Sequence, residues 1–271
     1  MRGPLTILSH SGSTRESLYV RFYLASNLAS RLSYEHGITT EVALLCLMAN
    51  EVENSIKSNE HARRMSSHSS SRDVNIIEDN ETPYSKELFL SNTHNKTQLI
   101  SNLSNYLRED DQIIVYICTG DADTKIVSTA LDLAKISPVC VVVDDTDVAV
   151  MLLYHWREEM SEIYFLQERG KKSWKISENQ QDFIDIKESL LFVHAWTGCD
   201  STSAIFGKGK PSFVNLIKKS EHLRILSKIF MDYLATHEEI ADASEKIFKV
   251  LYNGNLDTSL SKLRLAFFTK F

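Results

Sequence analysis

The chain is 271 residues long, 43% hydrophobic and carries a formal net charge of −6. That is ample for a packed core, and it excludes disordered and fibrous classes and a surface coated in positive charge. The four cysteines, Cys46, Cys118, Cys140 and Cys199, form no C-x-x-C pair, so an intracellular, reduced setting is expected. No apolar run reaches a membrane span, and Met1-Arg2-Gly3-Pro4 lacks the apolar segment of a signal peptide.

In chain order, Glu16 to Leu32 carries apolar residues at helical spacing and predicts an amphipathic helix ended by His36-Gly37. Val42 to Ala49 is an apolar run compatible with either a strand or a helix. Residues 57–85 read as a mobile basic and Ser-rich loop, with Arg63-Arg64 followed by serines from Ser66 to Ser71. Helices follow at Lys86–Asn92 and Asn95–Leu107. A βα rhythm then sets in: strand Ile113–Cys118, helix Asp123–Lys135, strand Val139–Val143, helix Val148–Trp156, strand Ile163–Leu166, with Ser173–Ile176 as a hairpin partner. This alternation predicts an α/β fold with a mainly parallel central sheet flanked by helices. From Asp182 the pattern is helical, through Ile186–Trp196, Ser212–Lys218, Leu223–Leu234 and Ile240–Leu251. The expected division is an α/β domain over 1–181 and a helical region over 182–271.

Val139 to Val143 is an unbroken β-type run, as in a strand buried on both faces, and it ends in Asp144-Asp145-Thr146-Asp147. A second cluster, Asp121-Ala122-Asp123, follows the strand ending at Cys118, and a third, Gly198-Cys199-Asp200, follows an apolar helix. Consecutive parallel strands end on one edge, where open α/β sheets bind ligands, so the first two clusters are expected to be neighbours. Like charges so close favour a cation, and oxygen ligands without a dense His or Cys set favour one or two Mg²⁺ or Mn²⁺ ions. The competing reading is helix capping: Asp121 or Asp123 at one helix, Asp147 at the next. After the third cluster comes a helix-sized segment, then Gly207-Lys208-Gly209-Lys210 with Pro211 opening a helix. Free backbone N–H groups and two ammonium groups there suit a phosphate backbone, while the plain alternative is a surface turn. His155 and His194 sit in apolar runs and read as structural, and Trp156, Trp174 and Trp196 as core.

These residues resemble a family. Asp121-Ala122-Asp123 resembles the E-A-E/E-A-D element of flap-endonuclease and XPG-type nucleases of the PIN-like superfamily, and Asp145-Thr146-Asp147 resembles their D-x-D after a strand. Gly198-Cys199-Asp200 through Ile205, Gly207 and Gly209 resembles their G-x-D segment leading into a helix–two-turn–helix. The longer phrase His194 to Ala204 is similar to PIN-like proteins of invertebrate genomes, some associated with mobile elements. The resemblance covers Asp110 to about Lys219.

It implies a PIN-like fold and a metal-dependent, structure-selective phosphodiesterase, endonuclease or exonuclease, acting on DNA or RNA. Asp121, Asp123, Asp145, Asp147 and Asp200 would hold the Mg²⁺ or Mn²⁺, Lys57 and Arg64 would neutralise the scissile phosphate, and Gly207 to Lys210 would grip duplex backbone without sequence specificity. A nuclear location follows from the nuclease reading alone; a monomer is expected, and the lack of a long apolar run predicts no membrane partner. The family has two further upstream Asp residues. Here no Asp precedes Asp73, and Asn50 falls where the second would lie. That departure, with the abrupt ends, suggests a partial or degraded copy, and it supports the alternative of an inactive PIN-like module binding nucleic acid or protein. A haloacid-dehalogenase-type phosphatase, which also places D-x-D after a strand, ranks lower because it puts that motif near its N-terminus.

Overall fold

A computed structural model describes residues 5–10, 42–48, 72–76, 85–109, 113–118, 121–167, 172–199, 202–205, 207–254 and 256–269. The helix expected at Glu16–Leu32 and nearly all of the basic, Ser-rich loop over 57–85 lie outside them. The chain divides into two compact units, Met1–Asn179 and Gln180–Phe271.

The first unit is built on a six-stranded sheet: β1 (Leu5–His10), β2 (Val42–Met48), β3 (Ile113–Cys118), β4 (Val139–Val142), β5 (Ile163–Gln167) and β6 (Lys172–Lys175), in the order β3-β2-β1-β4-β5-β6. The first five strands are parallel, and β6 turns back antiparallel on β5. Thus the α/β, mainly parallel architecture read from the βα rhythm is the one observed. The ambiguous run at Val42 is a strand, fixed by pairing along both sides, Leu44 opposite Ile7 of β1 and Ile114 of β3. β1 itself has no counterpart in the sequence reading. β4 is buried at every position, as its continuous valine and cysteine content requires. At Cys140, burial pushes the thiol up to about 12.

Helices α1 (Lys86–Ser91), α2 (Thr93–Leu107), α3 (Ala122–Ala134) and α4 (Thr146–His155) accompany the sheet. Ile126, Ala130 and Ala134 of α3 recur every four residues and are fully buried, as are Val148 and Leu152 of α4. α3 packs over β1, β2 and β4 and lies beside α4. Asn95 of α2 is completely buried, yet its amide is satisfied, accepting from the Val74 N–H at 2.7 Å and donating to the Arg72 carbonyl at 3.0 Å. It holds residues 72–76 against α2.

Next come α5 (Ile176–Gln181), a 3-10 turn (Ile184–Ser189), α6 (Leu190–Trp196), α7 (Lys210–Lys219), α8 (Glu221–Ile229), α9 (His237–Leu251) and α10 (Leu260–Phe268). In the second unit the rings of Phe192, Trp196, Phe213, Phe230 and Phe248 pack at centroid distances of 4.7–6.2 Å, which places Trp196 among core aromatics, as expected from its apolar setting. Two helix boundaries differ from the periodicity. The helix expected from Ile186 begins as the 3-10 turn, and the one expected to reach Leu234 stops at Ile229. There the Asp232 carboxylate accepts the Leu234 N–H at 2.9 Å, a local bond that competes with continuing the helix. α9 then restarts on a capping box, Thr236 with Glu239. Those bonds from the Thr236 N–H and hydroxyl hold the Glu239 carboxyl below its usual range.

Candidate functional site

β1 and β4 are the two strands from which the chain winds outward in opposite directions, so the crevice at their C-terminal ends is the topological switch point. Asp144, Asp145 and Asp147 follow β4 directly and are half-buried. Asp121 and Asp123 follow β3, on the same edge but with β2 and β1 between. Three strand spacings separate β3 from β4, about 14 Å of backbone. The two clusters are therefore not neighbours through adjacent strands, contrary to the expectation from consecutive order. The crossover helices that follow the two clusters do pack side by side, but among the described residues the four carboxylates form no group of three within 4.8 Å of one another. Asp121 and Asp123 head α3, Asp145 and Asp147 head α4, and these helices lie side by side. Packed helix axes run about 8–10 Å apart.

Both helices are capped by an acid. The Asp121 carboxylate accepts the Thr124 N–H at 3.0 Å and the Thr124 hydroxyl at 2.6 Å. The Asp145 carboxylate accepts the Asp147 N–H at 2.8 Å. The cap of α4 is thus Asp145, and Asp147, the capping candidate in sequence, stands inside the first turn. Each helix N-terminus also offers a partial positive field that offsets some of the repulsion among the acids. Capping uses one oxygen of a carboxylate and leaves the residue chemically able to ligate through the other, so the two roles are compatible. The four aspartates heading α3 and α4 offer only oxygen donors, which fit a hard divalent cation.

Of the other expected site residues, Lys57, Arg64 and Asp200 lie outside the described residues. The Gly207–Lys210 turn is described, and it differs from the expected helix–turn arrangement. Residues 202–205 are not helical; Cys199 and Thr202 form an isolated bridge, and the helix before the turn is α6. Gly207 has φ +71, and a Cβ there would meet nothing within 4 Å; Gly209 precedes α7, with Pro211 in its first turn. The two ammonium groups are partnered rather than free. Lys208 Nζ sits 5.3 Å from the centre of the Tyr252 ring, and Lys210 Nζ lies 3.2 Å from His194 Nδ1.

That last contact identifies a group the sequence reading passes over. His194, read as structural, is half-buried at the end of α6, and its ring nitrogen and the Cys199 sulfur lie within 4.8 Å of each other. The loop between them is tightly held: Thr202 donates to the Ala195 carbonyl at 2.6 Å and accepts from the Cys199 N–H at 3.1 Å. Gly198 has φ +100, and any Cβ there would come within 2.9 Å of the Ala204 backbone. The signal available in sequence is the spacing His194-x4-Cys199 around a glycine. His155, also read as structural, is instead exposed, with its ring 4.7 Å edge-on to Tyr154.

No protein-family model matches the sequence, and no curated protein is a significant match. Solved structures do match. The T5 D15 protein co-crystallised with metal ions is similar over 93% of this chain and 89% of its own, with 12% identity and a TM-score of 0.51. T5 5'-exonuclease with bound divalent zinc ions is similar over the same shares, with 12% identity and a TM-score of 0.50. Among the described residues no helix is long and apolar enough to cross a membrane. With the sheet order on one side and these neighbours on the other, the chain shares the fold of these T5 proteins, as its resemblance to PIN-like flap endonucleases leads one to expect.

Proposed function

We propose that this chain is a divalent-cation-dependent phosphodiesterase acting on nucleic acid, with Asp121, Asp123, Asp145 and Asp147 as cation ligands. The observation that supports the reading best is the heading of two side-by-side helices by acid pairs at the switch-point edge of the sheet. Mg²⁺ or Mn²⁺ suits the all-oxygen set, and the structural neighbours were solved with metal ions. Such an ion would supply a polarised water and neutralise charge on a phosphoryl oxygen. The protein's own contribution is to orient the carboxylates: Asp145 is fixed by the Asp147 N–H and Asp121 by Thr124. Asp200, Lys57 and Arg64 complete the set by resemblance, the last two toward the scissile phosphate. Lys208 and Lys210, with the open N-terminus of α7, are assigned nonspecific backbone contacts, whose affinity would fall steeply with salt.

One observation favours a second reading. β1 ends on His10 and β2 on Met48, so neither of these strands closes on an acid beside the Asp cluster. A PIN-like module that binds nucleic acid without cutting it would need no more ligands than these.

Calorimetric titration with Mn²⁺ and Mg²⁺ separates the two. Asn caps a helix as well as Asp does, so Asp145→Asn removes charge while keeping the cap. Saturable binding in the parent, weakened in Asp145→Asn and Asp200→Asn, followed by metal-dependent cleavage of branched DNA, supports the enzyme. Folded protein that binds no cation at millimolar concentration overturns it, and cation or DNA binding without cleavage leaves the non-cutting module.

A further inference from the structure

We propose that Cys199 and His194 are donors for a softer divalent cation of the Zn²⁺ or Co²⁺ class, and that its binding detaches Lys210 from His194. The two donors stand within 4.8 Å of each other in the second unit, both half-buried. Thiolate and imidazole suit borderline and soft cations, unlike the oxygen donors heading α3 and α4. This inference does not rest on the proposed phosphodiesterase activity.

The pair is held in place rather than brought together by a mobile loop. Thr202 ties the Cys199 backbone to the end of α6, the helix that carries His194. Its hydroxyl proton is committed to the Ala195 carbonyl, so at 3.2 Å the Cys199 thiol is the donor toward Thr202 Oγ1. Gly198 allows the turn, and Ala204 closes it from the other side.

The link to Lys210 follows from imidazole chemistry. In the cation-free chain the Lys210 ammonium, 3.2 Å away, donates to Nδ1, which places the ring proton on Nε2. A cation on Nδ1 takes the lone pair that Lys210 uses. A cation on Nε2 moves the ring proton to Nδ1, which then cannot accept. Either way Lys210 loses its acceptor and its charge is released toward solvent at the start of α7. The Cys199 thiol gives up its proton as the metal–sulfur bond forms, and water fills the remaining positions, so no oxidant or reductant is involved.

The test uses Co²⁺ alone on the reduced full-length chain. A saturable near-ultraviolet thiolate-to-cobalt band is expected, abolished in Cys199→Ser and shifted to higher cobalt in His194→Gln by at least the about 10–100-fold that even outer partners of a metal site cost. In parallel, acetylation of Lys210 followed by mass spectrometry should speed up on adding Co²⁺ to the parent and stay unchanged in Cys199→Ser. Circular dichroism checks that the variants are folded; Cys199→Ser changes one atom. No band from the folded parent, or a band that survives in Cys199→Ser, overturns the site. A band without any change at Lys210 overturns the release.

Discussion

Gly198 and Gly207 both have left-handed backbones, but only one of them is hemmed in, and the contrast gives a quantitative prediction. Replacing Gly207, at φ +71 and in open space, by Ala adds backbone strain alone, about 1–2 kcal/mol. At Gly198 the same strain applies at φ +100, and the new methyl group meets the Ala204 backbone and side chain at 2.9 Å. Overpacking of that kind adds about 1–3 kcal/mol, for a total of about 2–5 kcal/mol. Hydrogen exchange read by mass spectrometry on peptides spanning α6 to α7 reports the local opening free energy of each variant. Gly198→Ala should open more easily than Gly207→Ala by about 1–3 kcal/mol, the contact contribution alone. Equal costs for the two variants would refute the idea that Ala204 packs on Gly198 and that this loop sets the position of Cys199.

Other outcomes follow from single contacts. Asp121→Ala and Asp145→Ala should each cost about 1 kcal/mol in denaturant titrations through loss of a cap, while Asp121→Asn and Asp145→Asn should cost almost nothing. Asn95→Ala should destabilise the first unit by about 2–4 kcal/mol, because two backbone groups, the Val74 N–H and the Arg72 carbonyl, lose a buried partner; exchange of the Val74 amide should speed up first. Alkylation at mildly alkaline pH should modify Cys199 well before Cys140, whose buried thiol is pushed up to about 12; the reverse order would contradict its burial in β4. For Glu239 the folded carboxyl lies below its unfolded value, so its stabilisation is present above the unfolded value and fades as pH falls through the folded one. The N-terminus of α9 should therefore fray on acidification, and less pH-dependently in Glu239→Gln, seen by the Glu239 and Ile240 amide shifts.

The parts of the fold legible in sequence are those whose signal is local. Val139 to Val143 announces a strand buried on both faces because nothing in it is polar, and the acids after it are placed by that strand alone. β1 is not legible: Thr6 and Ser9 interrupt a run of only six residues, and its strand character comes from partners far away, Val42 and Val139 opposite Leu5. The two Asp pairs do share one edge, as consecutive strand order suggests, but consecutive order does not make them neighbours. Strand order is a tertiary property, and here it sets β2 and β1 between them. Likewise Asp145 and Asp147 both suit a helix start, and side-chain geometry decides that Asp145 is the cap. His194 resembles a core residue in sequence because its neighbours Val193 and Phe192 are buried. Its own side chain leaves that core for Lys210 and Cys199, which no periodicity reveals.

The pairing of β1 with β4 has a kinetic consequence. Leu5 lies opposite Val139, so the two central strands are separated by roughly 130 residues of chain. During synthesis at about 5–20 residues per second, β1 waits about 7–26 s for its second neighbour to be made. Until then its backbone N–H and C=O groups are paired on at most the β2 side. Sheet closure is thus a late, non-local event with a large loop-closure cost, which places this chain among slow folders that expose strand edges on the way. Refolding from denaturant should accordingly be slow and concentration-sensitive, with yield lost to edge-to-edge association before the native sheet is complete.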